Sequence, residues 1–169
     1  AGGNASLTLS AARNITVNAD ITSTVGQLGV TLTADADANG SGAITLNNAI
    51  NSNGGAVSFA AAAGITLAGA GADITTVGGN VTFIADSDAN NTGLFDQNDI
   101  GSAVATAGGN VVITAADAAI TGTINSGAGT VRLQPGTDAR TIGIAGGAGD
   151  FSLAQAELNQ ITAGGGLNI

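Results

Sequence analysis

The chain lacks cysteine, methionine, tryptophan, tyrosine, lysine and histidine, and its 169 residues include one proline and four phenylalanines. Each absence removes a class of explanation. Without cysteine, no disulfide can staple the fold. Without lysine or histidine, no Ser-His-Asp triad and no lysine nucleophile can be assembled from this chain. With aromatics at 2% of residues, a core must be built from many aliphatic increments, each worth roughly 1.5–3 kcal/mol for a fully buried Val, Leu or Ile. Charge is scarce too: three Arg stand against twelve acidic residues, for a net −9. That balance repels phosphate backbones and anionic lipid, so nucleic acid is not expected as a partner. No apolar run approaches the roughly 20 residues of a membrane helix, and membrane insertion is not expected. The opening AGGNASLTLS has neither the basic nor the apolar segment of a secretion signal. If the protein is exported, that signal lies outside this sequence.

What the chain has in abundance is glycine, 28 residues of it, together with a hydrophobic content of 44% that is too high for a disordered chain. The glycines fall in a repeated phrase: a glycine pair, a polar residue, then alternating apolar positions. It reads GGNASLTLS at 2, GGAVSFAAA at 54, GGNVTFIAD at 78 and GGNVVITAA at 108, with weaker copies at 27, 128, 147 and the end. Spacings of roughly 18 to 30 residues lie in the range of solenoid repeats. Within each copy apolar residues recur at every second position, as in Val57 and Phe59 or Val111 and Ile113, and period two means strands. A second short strand follows in most copies (Ile15 and Val17, Ile44 and Leu46, Ile65 and Leu67, Ile142 and Ile144), then an apolar anchor such as Ile21, Ile50, Ile74 or Ile124.

Two or three short strands per repeat, cornered by Gly and Asn that tolerate left-handed backbone angles, predict an all-β, right-handed parallel β-helix. This β-solenoid would be a single domain over 1–169, of about seven rungs with two loop insertions. Leu9, Leu32, Phe59, Phe83, Ile113 and Leu133 hold one place in the phrase and are expected to form an inward ladder. The only helical spacing lies in LAQAELNQI at 153–161, read as a single turn at a corner.

The glycine-pair phrase, the DADANG and DSDANN stretches and the closing FSLAQAELNQITAGGGLNI resemble the repeat regions of filamentous-haemagglutinin-like, two-partner-secretion bacterial exoproteins. The resemblance spans the whole chain. It implies a parallel β-helical shaft displayed outside the cell, with an adhesive or structural role and a host or cell-surface glycan or protein as partner. That family's secretion domain, with its NPNG-type motifs, is not seen here, which makes the chain look like an interior or carboxy-proximal piece.

Two acidic stretches stand out as a candidate metal site. Asp35, Asp37 and Asn39 precede Gly40, and Asp86, Asp88 and Asn90 precede Asn91 at the equivalent place after a strand. This D-x-D-x-N spacing sets three oxygen side chains along one loop, and calcium takes six to eight oxygens. In the second copy Asp96, Asn98 and Asp99 follow to complete a shell, and the loops from Asp35 to Gly42 and from Asp86 to Asp99 are expected to bind calcium. An EF-hand loop would need Glu at its twelfth position, where Leu46 stands. The plainer reading is that Asp, Asn and Gly form turns.

Asp117, Asp138, Asp150 and Glu157 are the carboxylates from which a carbohydrate-active β-helix could draw a catalytic pair. Aromatic sugar platforms are missing, because three of the four Phe sit at inward strand positions; the expectation is therefore no enzyme. The T-x-T pairs Thr22/Thr24, Thr31/Thr33 and Thr121/Thr123 do not share a rung position, which speaks against an ice-binding face. Neither end shows a cap. An uncovered rung exposes apolar side chains and unpaired strand edges, so neighbouring solenoid repeats, or copies of the chain stacked end to end, are the expected partners.

Overall fold

Alternating apolar and β-branched residues between glycine corners leave each segment too short to bury itself, and the chain solves this by coiling. The computed structural model describes residues 2–169. The first rung is β1 (Ala5–Ala11), β2 (Ile15–Val17) and β3 (Ile21–Thr22), and the second is β4 (Leu28–Ala34), β5 (Ile44–Leu46) and β6 (Ile50–Asn51). The third is β7 (Val57–Ala60), β8 (Ile65–Leu67) and β9 (Ile74–Thr75), and the fourth β10 (Val81–Ile84), β11 (Leu94–Gln97) and β12 (Ala103–Ala105). The fifth is β13 (Val111–Ala115), β14 (Asp117–Ile120) and β15 (Thr123–Asn125). The sixth holds β16 (Val131–Pro135), β17 (Ile142–Ile144), β18 (Phe151–Leu153), the helical turn α1 (Gln155–Leu158) and β19 (Ile161–Thr162), after which β20 (Leu167–Asn168) opens a seventh.

Like strands of successive rungs pair in parallel, giving a first sheet β1-β4-β7-β10-β13-β16-β20, a second β2-β5-β8-β11-β14 and a third β3-β6-β9-β12-β15-β19. The parallel β-helix expected from the repeat is the fold observed. The inward ladder Leu9, Leu32, Phe59, Phe83, Ile113, Leu133 stands in unbroken register along the first sheet. The third sheet carries Ile21, Ile50, Ile74, Val104, Ile124 and Ile161 in the same way. All four Phe are fully buried; Phe83 meets Phe59 edge-on at 5.6 Å and Phe95 of the second sheet at 4.8 Å, within the favourable range for aromatic pairs. Gln97 brings a polar side chain to an inward position of the second sheet: it stands between Leu67 and Ile120, and its Nε2 donates to the carbonyls of Ser102 and Thr123.

The glycine pair has two separate physical causes. Gly54, Gly78 and Gly108 adopt φ of +94°, +92° and +121°, open to glycine at no steric cost. The second glycines stack on one another along the corner: a Cβ on Gly109 would strike the carbonyl of Gly79, and one on Gly129 the carbonyl of Gly109. A buried hydroxyl three residues earlier serves each crowded carbonyl. Ser52 donates to Gly55 O at 2.6 Å and Ser126 to Gly129 O at 2.8 Å, and Thr76 and Thr106 do the same for Gly79 and Gly109.

Two expectations need correction. Phe95 and Gln97 lie in β11, so the loop that opens at Asp86 ends before this strand rather than at Asp99. Ile142 and Ile144 are not the second strand of the sixth rung: Phe151 and Leu153 fill that inward place, and GAGDFSLAQ at 147 opens no new rung. The T-x-T pairs do fall at different positions, Thr31 and Thr33 on the first sheet and Thr22 and Thr123 at different registers of the third; Thr8, Thr31, Ser58 and Thr82 align outward on the first sheet and Thr16, Thr45 and Thr66 on the second.

Candidate functional site

The two acidic loops leave the corner between the first and second sheets, in the second and fourth rungs, while the third and fifth turn that corner tightly. Asp35, at φ +65°, accepts the backbone N–H groups of Asn39 at 2.9 Å and Gly40 at 3.0 Å. Asp86 is buried and accepts Asn91 N–H at 3.1 Å. Asp37 and Asp88 are exposed and bind the amide groups of Asn39 and Asn90 at 2.7 and 2.6 Å. Both Asp-x-Asp-x-Asn stretches thus tie their own turns, with a carboxylate in the place of a carbonyl. A cation at Asp35 or Asp86 would compete with these N–H donors. Asp96 lies on β11, outward, and Asp99 accepts Gly101 N–H at 2.7 Å in the next corner. Among the described residues no three carboxylates gather as a metal-ligating group.

Three of the four carboxylates nominated for catalysis are held by hydrogen-bond donors. Asp117 accepts Ala118 N–H at 3.0 Å and Ser152 N–H at 2.9 Å, and Glu157 accepts Ile120 N–H at 2.9 Å and Ala154 N–H at 2.7 Å. These two side chains stitch β14 to the segment above it, where the backbone ladder of the second sheet is interrupted. Asp150 takes a backbone and a side-chain hydrogen bond from Thr141, which with the nearby Arg140 guanidinium hold its carboxyl below the usual aspartate range. Asp138 is exposed and lines an open groove of about 700 Å³ with Thr114, Arg132, Gln134, Arg140 and Ile142. A shallower concavity of about 280 Å³ on the second sheet brings Asp96 beside Asp117, a pairing that sequence spacing does not suggest.

No family model, curated protein or solved structure matches this chain.

The feature that sequence reasoning missed is the insertion between β16 and β18. Its strand β17 pairs in parallel with β18, Ile142 opposite Phe151 and Ile144 opposite Leu153. The hydrogen bonds fix its side. Phe151 N–H donates to Thr141 O at 3.0 Å and Ala145 N–H to Leu153 O at 2.7 Å. Elsewhere these two donations join a strand to the rung after it, as Ile15 N–H to Ala43 O and Asn47 N–H to Val17 O. So β17 precedes β18 in sequence yet occupies the place of a later rung. The only sequence signal was two closely spaced apolar alternations, TIGIA and DFSLA, in one unusually long repeat.

The two ends of the stack present like surfaces. At one, β1, β2 and β3 have a strand partner on one side only among the described residues, with Leu9 39% exposed. At the other, Ile142, Ile144 and Leu167 are 42%, 41% and 38% exposed.

Proposed function

We propose that this protein is a structural module, a stiff solenoid shaft displayed at a bacterial surface, which associates end to end by stacking rung on rung. The observation that carries this reading is the pair of inward ladders, unbroken from rung to rung through the stack. Each rung stacked on such a ladder gains about 25 cal/mol for every Å² of apolar surface removed from water, and parallel pairing satisfies its backbone groups. Head-to-tail contact, one end of the stack against the other, is heterologous and yields a filament unless the rotation closes. Surface display and adhesion rest on the resemblance to filamentous-haemagglutinin-like exoproteins. The engagement of Asp117, Asp150 and Glu157 with backbone or hydroxyl donors supports a structural role over hydrolysis of a glycosidic bond.

The test is sedimentation velocity and negative-stain electron microscopy of the 169-residue chain at micromolar concentration. Rods that lengthen with concentration are the expected result, and a compact monomer at every concentration would overturn it.

A further inference from the structure

The two Asp-x-Asp-x-Asn loops each run on into a Ser or Thr, which completes a second motif. Asn39-Gly40-Ser41 and Asn90-Asn91-Thr92 are both Asn-x-Ser/Thr, the acceptor motif for attachment of a sugar to an asparagine side chain, and it recurs at Asn4, Asn14 and Asn80. A motif of three residues carries little weight in a chain this rich in Asn and Thr. The structure divides the five into two kinds.

At Asn14 and Asn80 the motif is built into the stack. The middle residue, Ile15 or Val81, is buried inward and gives its N–H to the next rung, to Ala43 O or Asn110 O at 2.9 Å. The Asn Oδ1 accepts an N–H of that same rung, Ala43 at 3.0 Å or Asn110 at 2.9 Å. Asn4 is tied alike: its Oδ1 accepts Gln27 N–H at 3.0 Å, and Ser6 lies in β1. An enzyme could seat these segments only by lifting a strand from its sheet.

The side chains of Asn39 and Asn90 bond within their own loops instead. They and the hydroxyl residues Ser41 and Thr92 are exposed and lie between strands. In both loops the Asn Oδ1 accepts the hydroxyl of Ser41 or Thr92, and Nδ2 donates to Asp37 at 2.7 Å or Asp88 at 2.6 Å. Each amide is thus held at both ends, by the hydroxyl of its own motif and by a carboxylate at the nitrogen that would carry the sugar.

We propose that Asn39 and Asn90 are N-glycosylation sites of the folded chain and that Asn4, Asn14 and Asn80 are not. The co-reactant is a sugar activated at C1 as a diphosphate, brought by a transferase of the cell that makes the protein. Nδ2 bonds to C1, the bond from C1 to the diphosphate oxygen breaks, the diphosphate leaves with that electron pair, and Nδ2 gives up one proton to a base. The hydroxyl bonded to Oδ1 polarises the amide and makes that proton easier to lose. Both sites stand on one corner, in the second and fourth rungs, where a Cβ on Gly40 would lie 3.1 Å from Asp88 Oδ2. Two sugars there would sit side by side on that corner, whether or not the chain stacks end to end.

The experiment offers the folded chain to a soluble asparagine glycosyltransferase with a uridine diphosphate hexose as donor, and peptide mapping by mass spectrometry reads the sites. The transferase is one that accepts synthetic peptides spanning each of the motifs. Expected in the folded chain are hexoses on Asn39 and Asn90, at an occupancy on the order of tenfold or more above Asn4, Asn14 and Asn80, because modification within the stack has to wait for local unfolding. Ser41→Ala and Thr92→Ala should each remove the hexose from its own loop only, with circular dichroism unchanged. A loop asparagine left bare in the wild-type chain overturns its site, and equal modification of the loop and stack asparagines overturns the distinction between them.

Discussion

The Glu157 carboxylate accepts the backbone N–H of Ile120, 37 residues earlier, at 2.9 Å. Its second oxygen accepts Ala154 N–H at 2.7 Å, closing the single turn of α1. Elsewhere in the second sheet the next rung supplies the acceptor for such an N–H. Here α1 carries the backbone away from that line, and one side chain replaces the missing carbonyl. Charge-assisted bonds of this kind are the stronger class.

Glu157→Ala should therefore cost about 1–3 kcal/mol, the penalty for leaving a half-buried donor unpaired. Glu157→Gln, which keeps one acceptor oxygen, should lose less. Thermal unfolding followed by circular dichroism is the measurement, and equal melting temperatures for wild type and Glu157→Ala would contradict the role.

Phe83 stands in the middle of an inward ladder of the first sheet, fully buried between Phe59 and Ile113. Phe83→Asp places a charge there without a partner and should cost on the order of 3–5 kcal/mol, enough to threaten folding outright. Phe83→Leu should cost less and leave the fold intact. An unchanged unfolding curve for Phe83→Asp would sink the ladder assignment.

Gly109 tests the corner column. Its Cβ would meet the Gly79 carbonyl, which is backbone and cannot yield alone, so Gly109→Ala should destabilise by about 1–3 kcal/mol or more, as overpacking does. Gly3→Ala, with open space around it, should be nearly silent. Chemical denaturation of the two variants side by side separates packing from any general effect of losing glycine.

Asp150 makes the insertion sensitive to acid. Its carboxyl is held below the usual range by the Thr141 hydrogen bonds first, with Arg140 assisting. A group whose pKa is depressed in the folded state stabilises above its unfolded value, and that stabilisation is lost as pH falls through the folded one. Limited proteolysis should find the 136–150 segment intact at neutral pH and more readily cut well below pH 4, whereas Asp150→Asn should be cut readily at neutral pH. Acid-independent cleavage of wild type would count against this anchoring role.

Much of the architecture was legible because its causes are local and repeat. Strand period and glycine corners are properties of short segments, so GGAVSF and GGNVVI announce their strands without knowledge of what lies above them. The ladder through Leu32, Phe59 and Phe83 followed from equal positions in the phrase. What could not be read was anything that depends on the neighbouring rung. That the second glycine of each pair lies under another glycine, that Ser52 and Thr106 point inward to a carbonyl, and that Asp35 and Asp86 bind their own turns all depend on coordinates set by stacking.

The sequence alone determined that this chain is all-β, that its strands run in parallel, and that aliphatic columns hold it together. These follow from side-chain period and from the steric freedom of glycine, which act within a few residues. Only the tertiary structure decided the fate of residues 136–150. Two alternating segments, Ile142–Ile144 and Phe151–Leu153, compete for one place in the sixth rung, and period two fits both equally. Phe151 and Leu153 take the interior. The segment ahead of them then folds back as a layer beyond its own rung, pairing with the edge of β18 that faces away from β14.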